Sequence, residues 1–150
     1  MRLMKRQSSY VFKNTVSKEG DKPAKTILSG PGQLDVGPAP EFGGSPETLN
    51  PEEMFVAAVN NCLMTTFFYF VRKLNLEILS YYSHAEGRVE KQADGFRFTN
   101  VQVRAEVTVK HQEQAEKARE LGDLAGKYCL VSRSLACSVH YELQTKSIEK

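Results

Sequence analysis

Three cysteines are the residues of this chain best suited to covalent chemistry. They are Cys62, Cys129 and Cys137 in a sequence of 150 residues. An odd number of widely spaced cysteines does not form the paired disulfide framework of a small secreted protein. We therefore expect a reducing, cytoplasmic location, in which any disulfide is transient and catalytic.

Cys62 allows two interpretations. It lies within an apolar helical pattern, where a free cysteine is often simply packed into the core. However, Asn60 and Asn61 are poor helix formers placed directly before it, and a local rule broken at one position often marks function. The local sequence leaves both interpretations open.

Cys129 and Cys137 have different surroundings. Cys129 follows Lys127 and precedes a new helical start that contains Arg133, which favours a reactive thiol; a cysteine packed at a helix junction is the alternative. Cys137 alternates with apolar residues such as Val139, so we expect it to face the core in a structural role. Spacing alone cannot show whether any two of these thiols meet.

Other kinds of catalytic or metal site find little support. The sequence has no C-x-x-C, H-E-x-x-H, P-loop or G-x-S-x-G motif, and His84, His111 and His140 are far apart. These absences argue against a metal centre and a catalytic triad. We expect neither a metal nor a cofactor.

The composition excludes further classes of partner. The chain has 20 Lys and Arg against 18 Asp and Glu, and no basic face emerges, so nucleic acid is not an expected partner. Polar residues 7–9 stand where a signal peptide would need an apolar stretch. The most apolar run, residues 63–71, is well short of a bilayer span, so we expect no membrane partner.

The predicted elements indicate an α+β protein. The length fits one domain over residues 1–150. Periodicity and turn residues predict the following order: a strand meander over residues 6–36 that includes Tyr10–Phe12 and Thr26–Leu28, a helix from Asn50 to about Asn75, strands over residues 83–90 and 101–110, a helix from Gln112 to about Lys127, a short helix or turn over residues 129–135, and a closing strand after Cys137. Helices gathered against antiparallel sheet fit this order. Phe98 is out of phase with the valine row that follows it, so we expect a bulge or a change of face near Thr99.

The first long helix is apolar around its whole circumference. Leu63, Phe67 and Phe70 are among residues that surround the axis and do not form a single stripe. A helix of this kind must be covered on all sides, and one small sheet covers only one side. The pattern therefore predicts a partner subunit.

Two segments resemble the motifs of the OsmC/Ohr family of hydroperoxide reductases. Residues 42–63 contain the Gly-Gly pair, the Asn-Pro-Glu sequence at Asn50–Glu52 and the terminal Cys62, and residues 129–135 are similar to the family's C-x-V-S-x-x-L motif. The resemblance implies an OsmC-like fold over the whole chain, with antiparallel sheets around a long central helix. It also implies an intertwined homodimer.

The resemblance further implies a thiol-dependent peroxidase. Cys62 would attack an organic hydroperoxide, or hydrogen peroxide, and become a sulfenic acid, and Cys129 would resolve it as a disulfide. A small dithiol such as dihydrolipoamide would reduce that disulfide. Glu52 matches the family's functional glutamate, although ten helical residues separate it from Cys62 by about 15 Å along a straight axis. It would then act on the partner's thiol or across a broken helix, or it is simply a first-turn carboxylate stabilised by the helix dipole.

One family feature is missing, because no arginine occurs between Gln7 and Val71. Lys22 and Lys25 are the expected cations in its place, although lysine lacks the planar two-pronged contact with a carboxylate. Phe55 and Phe67 are the expected apolar contacts of the substrate. The alternative function is a non-catalytic binder of an apolar small molecule at the aromatic residues 67–70 of the dimer interface. A third interpretation is a purely structural dimer with inert thiols.

Overall fold

The computed structural model describes residues 8–149, so the predictions that concern residues 1–7 lie outside the described range. The chain divides into two compact units, of which the first ends at Glu52 and the second begins at Glu53. We call them the N-terminal and C-terminal units. A single domain over residues 1–150 stays a prediction.

The N-terminal unit contains the predicted strand meander. Its strands are β1 (Thr15–Ser17), β2 (Ala24–Leu28) and β3 (Gly32–Val36), and they form an antiparallel sheet in that order. The prediction that Tyr10–Phe12 forms a strand is wrong. The β1–β2 pairing begins only at Thr15, opposite Ile27, so the earlier residues lack a strand partner in this sheet and are exposed.

A tight loop follows β3. A short 3-10 helix, Pro40–Phe42, is followed by the Gly43–Gly44 pair. A Cβ atom on Gly44 would lie 1.6 Å from the Pro38 carbonyl oxygen, so only glycine allows the chain to pass there. A bridge between Val36 and Leu49 then closes the loop, which explains the Gly-Gly pair in structural terms.

The C-terminal unit consists of a three-stranded sheet with helices on one face. In chain order its elements are α1 (Pro51–Lys73, whose first two residues belong to the N-terminal unit), β4 (Ser80–Gln92), β5 (Gly95–His111), α2 (Gln112–Tyr128), α3 (Leu130–Arg133) and β6 (Ser138–Glu149). The sheet order is β4-β5-β6. The predicted order of elements is confirmed, and Gly126 does not end α2.

The strand directions correct one part of the prediction. β4 and β5 are antiparallel, as expected, but β6 pairs with β5 in parallel, from Asn100 opposite Ser138 onwards. The cause lies in the connection, because α2 and α3 carry the chain back to the end of the sheet where β5 begins. Parallel neighbours require such a crossover.

The core lies between β5 and the two long helices. Val101, Val103, Ala105, Val107 and Val109 alternate along β5 and are all buried. The register of β4 against β5 shifts where Arg88 faces Asn100 and Val89 faces Phe98, so Thr99 is the extra residue of the predicted bulge. From α1, Val59 and Leu63 pack on one end of this row, and Phe67 and Val71 on the other.

The described chain covers only one stripe of α1. Its buried residues are Val59, Leu63, Phe67 and Val71, at intervals of four, whereas Tyr69 is 45% exposed. By length and hydropathy this 23-residue helix also meets the criterion for a membrane span, which the core helix of a soluble protein meets as well. The sequence-based estimate, which counted only residues 63–71, therefore underestimated the apolar length of this helix. The partner subunit stays a prediction.

Candidate functional site

The fold brings Cys62 and Cys129 together. Cys62 lies in the middle of α1, and Cys129 lies at the junction between α2 and α3. Both pack into the apolar cluster formed by Val59, Leu63, Val101 and Val103, and the two thiols are close enough for Cys62 to raise the pKa of Cys129. All three cysteines of the chain are free thiols, so the pair stands in its reduced form.

Cys129 is the buried member of the pair. It has no exposed surface, and burial raises the pKa of its thiol. Hydrogen bonds from Ser132 act in the opposite direction, whereas the neighbouring Cys62 raises the pKa further. The groups that shift the pKa of Cys129 do not include Lys127 or Arg133, so the structure does not support the expectation that these cations activate this thiol.

Cys62 is the more accessible member. It is half-buried, and its sulfur lies 4.0 Å from the Thr66 hydroxyl. That hydroxyl donates its proton to the Cys62 carbonyl oxygen at 2.7 Å, so towards the sulfur it offers only a lone pair. Cys62 is therefore the more exposed residue of the two, and Thr66 supplies no proton to its sulfur.

Two pairs of polar side chains lie near the thiol pair. The Ser83 hydroxyl donates to the amide oxygen of Asn60 at 2.6 Å, and the hydroxyls of Tyr81 and Tyr141 are hydrogen-bonded at 2.7 Å. Burial raises the pKa of both tyrosines. Asn60, singled out as a poor helix former, is therefore explained by a contact between α1 and β4.

Sequence reasoning missed four polar residues of this region. They are Ser83, Tyr81, Tyr141 and Ser132. The serines carry no signal outside a motif, and the tyrosines alternate along their strands like any core residue. The only available signal was that Ser132 matches the serine of the C-x-V-S-x-x-L motif.

Glu52 lies in the first turn of α1. One of its carboxylate oxygens is buried and accepts no hydrogen bond from any residue in the range 8–149. The helix runs without a break from Pro51 to Lys73, so the broken-helix route to Cys62 is excluded. A buried acceptor without a donor is costly, so this oxygen is a site where a further hydrogen-bond donor would stabilise the fold.

The two predicted lysines already have acidic partners in the N-terminal unit. Lys25 forms an ion pair with Asp35 across β2 and β3 at 2.7 Å. Lys22 lies 3.6 Å from Glu19 in a highly exposed pair, a type that contributes little. Their role in place of the family arginine stays a prediction.

Phe55 and Phe67 have different surroundings. Phe67 has no exposed surface, so this position does not support its predicted contact with substrate. Phe55 stacks on Phe98 with ring centroids 4.2 Å apart, and both rings line a cleft of about 430 Å³ together with Leu135 and Arg97. Phe55 therefore lines an open cleft, whereas among residues 67–70 Phe67 is buried and Tyr69 is exposed; the ligand site at residues 67–70 stays a prediction.

Cys137 and the remaining titratable groups add no second centre. Cys137 is half-buried and packs against the same apolar cluster as the thiol pair, which confirms its predicted orientation. Within residues 8–149, no three His, Cys, Asp or Glu side chains are grouped so that they could hold a metal ion.

The comparisons with known proteins agree on one family. The profile of the family described as OsmC-like protein matches residues 44–144. An OsmC-like protein of unknown function from Vibrio cholerae has a TM-score of 0.75 at 23% identity, over 90% of this chain and 99% of that one. An organic hydroperoxide resistance protein OsmC from Legionella pneumophila has a TM-score of 0.69 at 20% identity, over 92% and 99%. An organic hydroperoxide resistance protein from Bacillus subtilis has a TM-score of 0.62 at 22% identity, over 90% and 98%. At these identities the structural likeness establishes the fold. No curated protein sequence matches this chain.

Proposed function

This chain belongs to the OsmC-like protein family, and we propose that it is a cytoplasmic, cysteine-based peroxidase that reduces organic hydroperoxides. The observation that carries the proposal is that a half-buried Cys62 and a buried Cys129, both free, pack in the same apolar cluster and that Cys62 raises the pKa of Cys129. Two structural neighbours that bear the name organic hydroperoxide resistance protein support the same function. Hydrogen peroxide is a second possible substrate of the same chemistry.

The reaction divides between the two sulfurs according to their accessibility. The Cys62 thiolate attacks the terminal oxygen of the hydroperoxide, the O–O bond breaks, and the alkoxide leaves and is protonated to the alcohol. Cys62 is then a sulfenic acid. Cys129 attacks that sulfur, water leaves, and a Cys62–Cys129 disulfide remains. A dithiol such as dihydrolipoamide then reduces the disulfide to the two thiols.

A second subunit is part of the proposal. The apolar surface that α1 leaves uncovered and the exposed Tyr69 fit burial against another copy of the chain. Because Glu52 and Cys62 are about 15 Å apart along the continuous helix, Glu52 would act on the thiol of the other subunit. The unpaired oxygen of Glu52 would then receive a donor in the assembled site, where Lys22 or Lys25 would provide the cation.

Single-turnover oxidation tests the proposed function. One equivalent of cumene hydroperoxide should consume two thiols in the wild type, and peptide mapping should place the disulfide between Cys62 and Cys129. Cys62→Ser should lose turnover, and Cys129→Ser should stop at a sulfenic acid that dimedone traps. Cys137→Ser is the matched control and should behave as the wild type does. A Cys62→Ser protein with full turnover would exclude this mechanism.

The cleft at Phe55 and Phe98 favours a second candidate, a non-catalytic binder of an apolar small molecule. Its volume of about 430 Å³ lies within the usual range for small-molecule sites. Native mass spectrometry of the purified protein should then show a retained apolar molecule that is lost in Phe98→Ala. An empty wild-type protein whose Cys62 is oxidised by peroxide would rule this candidate out.

A further inference from the structure

Ser132 is the side chain that donates directly to the buried thiol. Its hydroxyl donates to the Cys129 sulfur at 3.2 Å. The neighbouring Ser134 instead donates to the Leu130 carbonyl at 2.8 Å and is exposed. The two serines thus share a short segment but differ in whether they contact Cys129.

The difference in exposure between the two sulfurs determines where a reductant can attack. In the reduced protein Cys62 is half-buried, whereas Cys129 has no exposed surface, and we take the same order of exposure for the disulfide. Attack of a thiolate on a disulfide requires access to the sulfur along the S–S axis. A dithiol from solvent therefore forms its mixed disulfide with Cys62, and Cys129 is the sulfur that must leave.

We propose that Ser132 is a catalytic residue of the reductive half-reaction, an inference that rests on the proposed function. Ser132 stabilises the sulfur of Cys129 as that sulfur is displaced from Cys62. The reductant thiolate forms a bond to the Cys62 sulfur while the Cys62–Cys129 bond breaks. Cys129 leaves with the electron pair as a thiolate, and the second thiol of the reductant then displaces Cys62 and closes the reductant's own disulfide. Two protons from the dithiol restore the two protein thiols.

The displaced thiolate would otherwise form in an apolar environment. The buried neighbours of Cys129 in its cluster are Val59, Leu63, Val101 and Val103, which offer no hydrogen-bond donor. Tyr141 also packs against this cluster, but its hydroxyl is hydrogen-bonded to Tyr81 at 2.7 Å. Burial raises the pKa of Cys129, and hydrogen bonding from Ser132 opposes that effect. A leaving thiol departs faster when its pKa is lower, so the contact that stabilises the anion also speeds its departure.

The test begins from a disulfide made with diamide, so it does not depend on peroxide turnover. Oxidised protein is mixed with dihydrolipoamide, and the appearance of free Cys129 is followed by quenched alkylation and mass spectrometry. Ser132→Ala should slow reduction about tenfold, the effect of losing one hydrogen bond to a charged group. The disulfide of Ser134→Ala should be reduced at the wild-type rate. Ser132→Thr keeps a hydroxyl, so its disulfide should be reduced at close to the wild-type rate.

A second measurement on the wild type needs no variant. Brief exposure of the disulfide to glutathione should give a mixed disulfide at Cys62 with Cys129 free. Glutathione attached to Cys129, or an unchanged rate in Ser132→Ala, would overturn the assignment. A loss in Ser132→Ala that Ser132→Thr does not recover would also overturn it, since a packing defect would then explain the rate. If diamide-oxidised protein behaves as expected but peroxide does not oxidise Cys62, the proposed peroxidase function fails while the role of Ser132 stands.

Discussion

The hydroxyl groups of Tyr81 and Tyr141 lie 2.7 Å apart, although β5 separates the strands that carry them. Tyr81 is paired with Val107 and Tyr141 with Val103, so the two rings approach each other over β5 from its opposite edges. Tyr141 also contacts both apolar clusters of the core. The bond therefore ties the outer strands together beside the thiol pair.

Removal of one hydroxyl from this pair should destabilise the fold. Tyr141→Phe leaves the Tyr81 hydroxyl without its partner, and the loss of a buried hydrogen bond costs about 1–2 kcal/mol. Tyr81→Phe should cost a similar amount. The double variant should lose about 1 kcal/mol less unfolding free energy than the sum of the two single losses. Urea unfolding measures these free energies. Tyr82→Phe, on a side chain that is 69% exposed, is the control, and strict additivity of Tyr81→Phe and Tyr141→Phe would contradict the coupling.

Alkaline pH should weaken the fold. Burial raises the pKa of Cys129, Tyr81 and Tyr141 above their usual values of 9.0, 10.0 and 10.0. Above pH 9 the unfolded chain releases protons that the folded chain retains, and this release favours unfolding. The free energy of unfolding is therefore at its full value below pH 9 and decreases as the pH rises further. The urea midpoint should fall between about pH 9 and pH 11, and less steeply in Tyr141→Phe. A midpoint that stays constant over this range would contradict the expectation.

The sequence predicted those features of the fold that depend on local periodicity. The alternating residues from Val101 to Val109 were identified as the buried face of a strand, and the phase error at Phe98 located the bulge at Thr99. The direction of β6 was not predictable in this way, because the period of a strand is the same beside a parallel or an antiparallel neighbour. Tyr10–Phe12 had the composition of a strand but not the partner that a strand requires.

The two thiols of the candidate site could be selected from the sequence motifs, but their environment could not be predicted. The motifs identified Cys62 and Cys129, yet the surrounding charges suggested that Cys129 was the activated thiol. Instead, burial in the cluster around Val101 raises the pKa of Cys129, and burial arises from tertiary packing that local composition does not encode. For the same reason Phe67, an aromatic residue like Phe55, proved to be fully buried.

Gly87 should be essential for the packing of α1 on β4. A Cβ atom there would lie 2.6 Å from a methyl of Val56 and 2.8 Å from the ring of Phe98, the same ring that stacks on Phe55. Gly87→Ala should therefore destabilise the protein by about 1–3 kcal/mol through overpacking. Urea unfolding measures the change, and the near-ultraviolet circular dichroism of the stacked rings should change with it.

Gly126→Ala is the matched control for that substitution. Its Cβ would lie 3.8 Å from the Tyr141 side chain, an ordinary contact, and alanine is the better helix former by about 1 kcal/mol. We expect a neutral or stabilising effect. Equal stability of Gly87→Ala and Gly126→Ala would mean that α1 can move away from β4 without cost.

Disulfide formation should accelerate with pH over the neutral range. Cys129 attacks the Cys62 sulfenic acid as a thiolate, and burial holds the pKa of Cys129 above 9.0. Its thiolate fraction therefore rises about tenfold for each pH unit between about pH 6 and pH 8. The rate of disulfide formation, measured by quenched mass spectrometry after one equivalent of peroxide, should follow with a slope near one on a logarithmic scale. Cys137→Ser should give the same slope. A rate that is independent of pH would mean that Cys129 is already a thiolate in this pH range, which would contradict the raised pKa of the buried thiol.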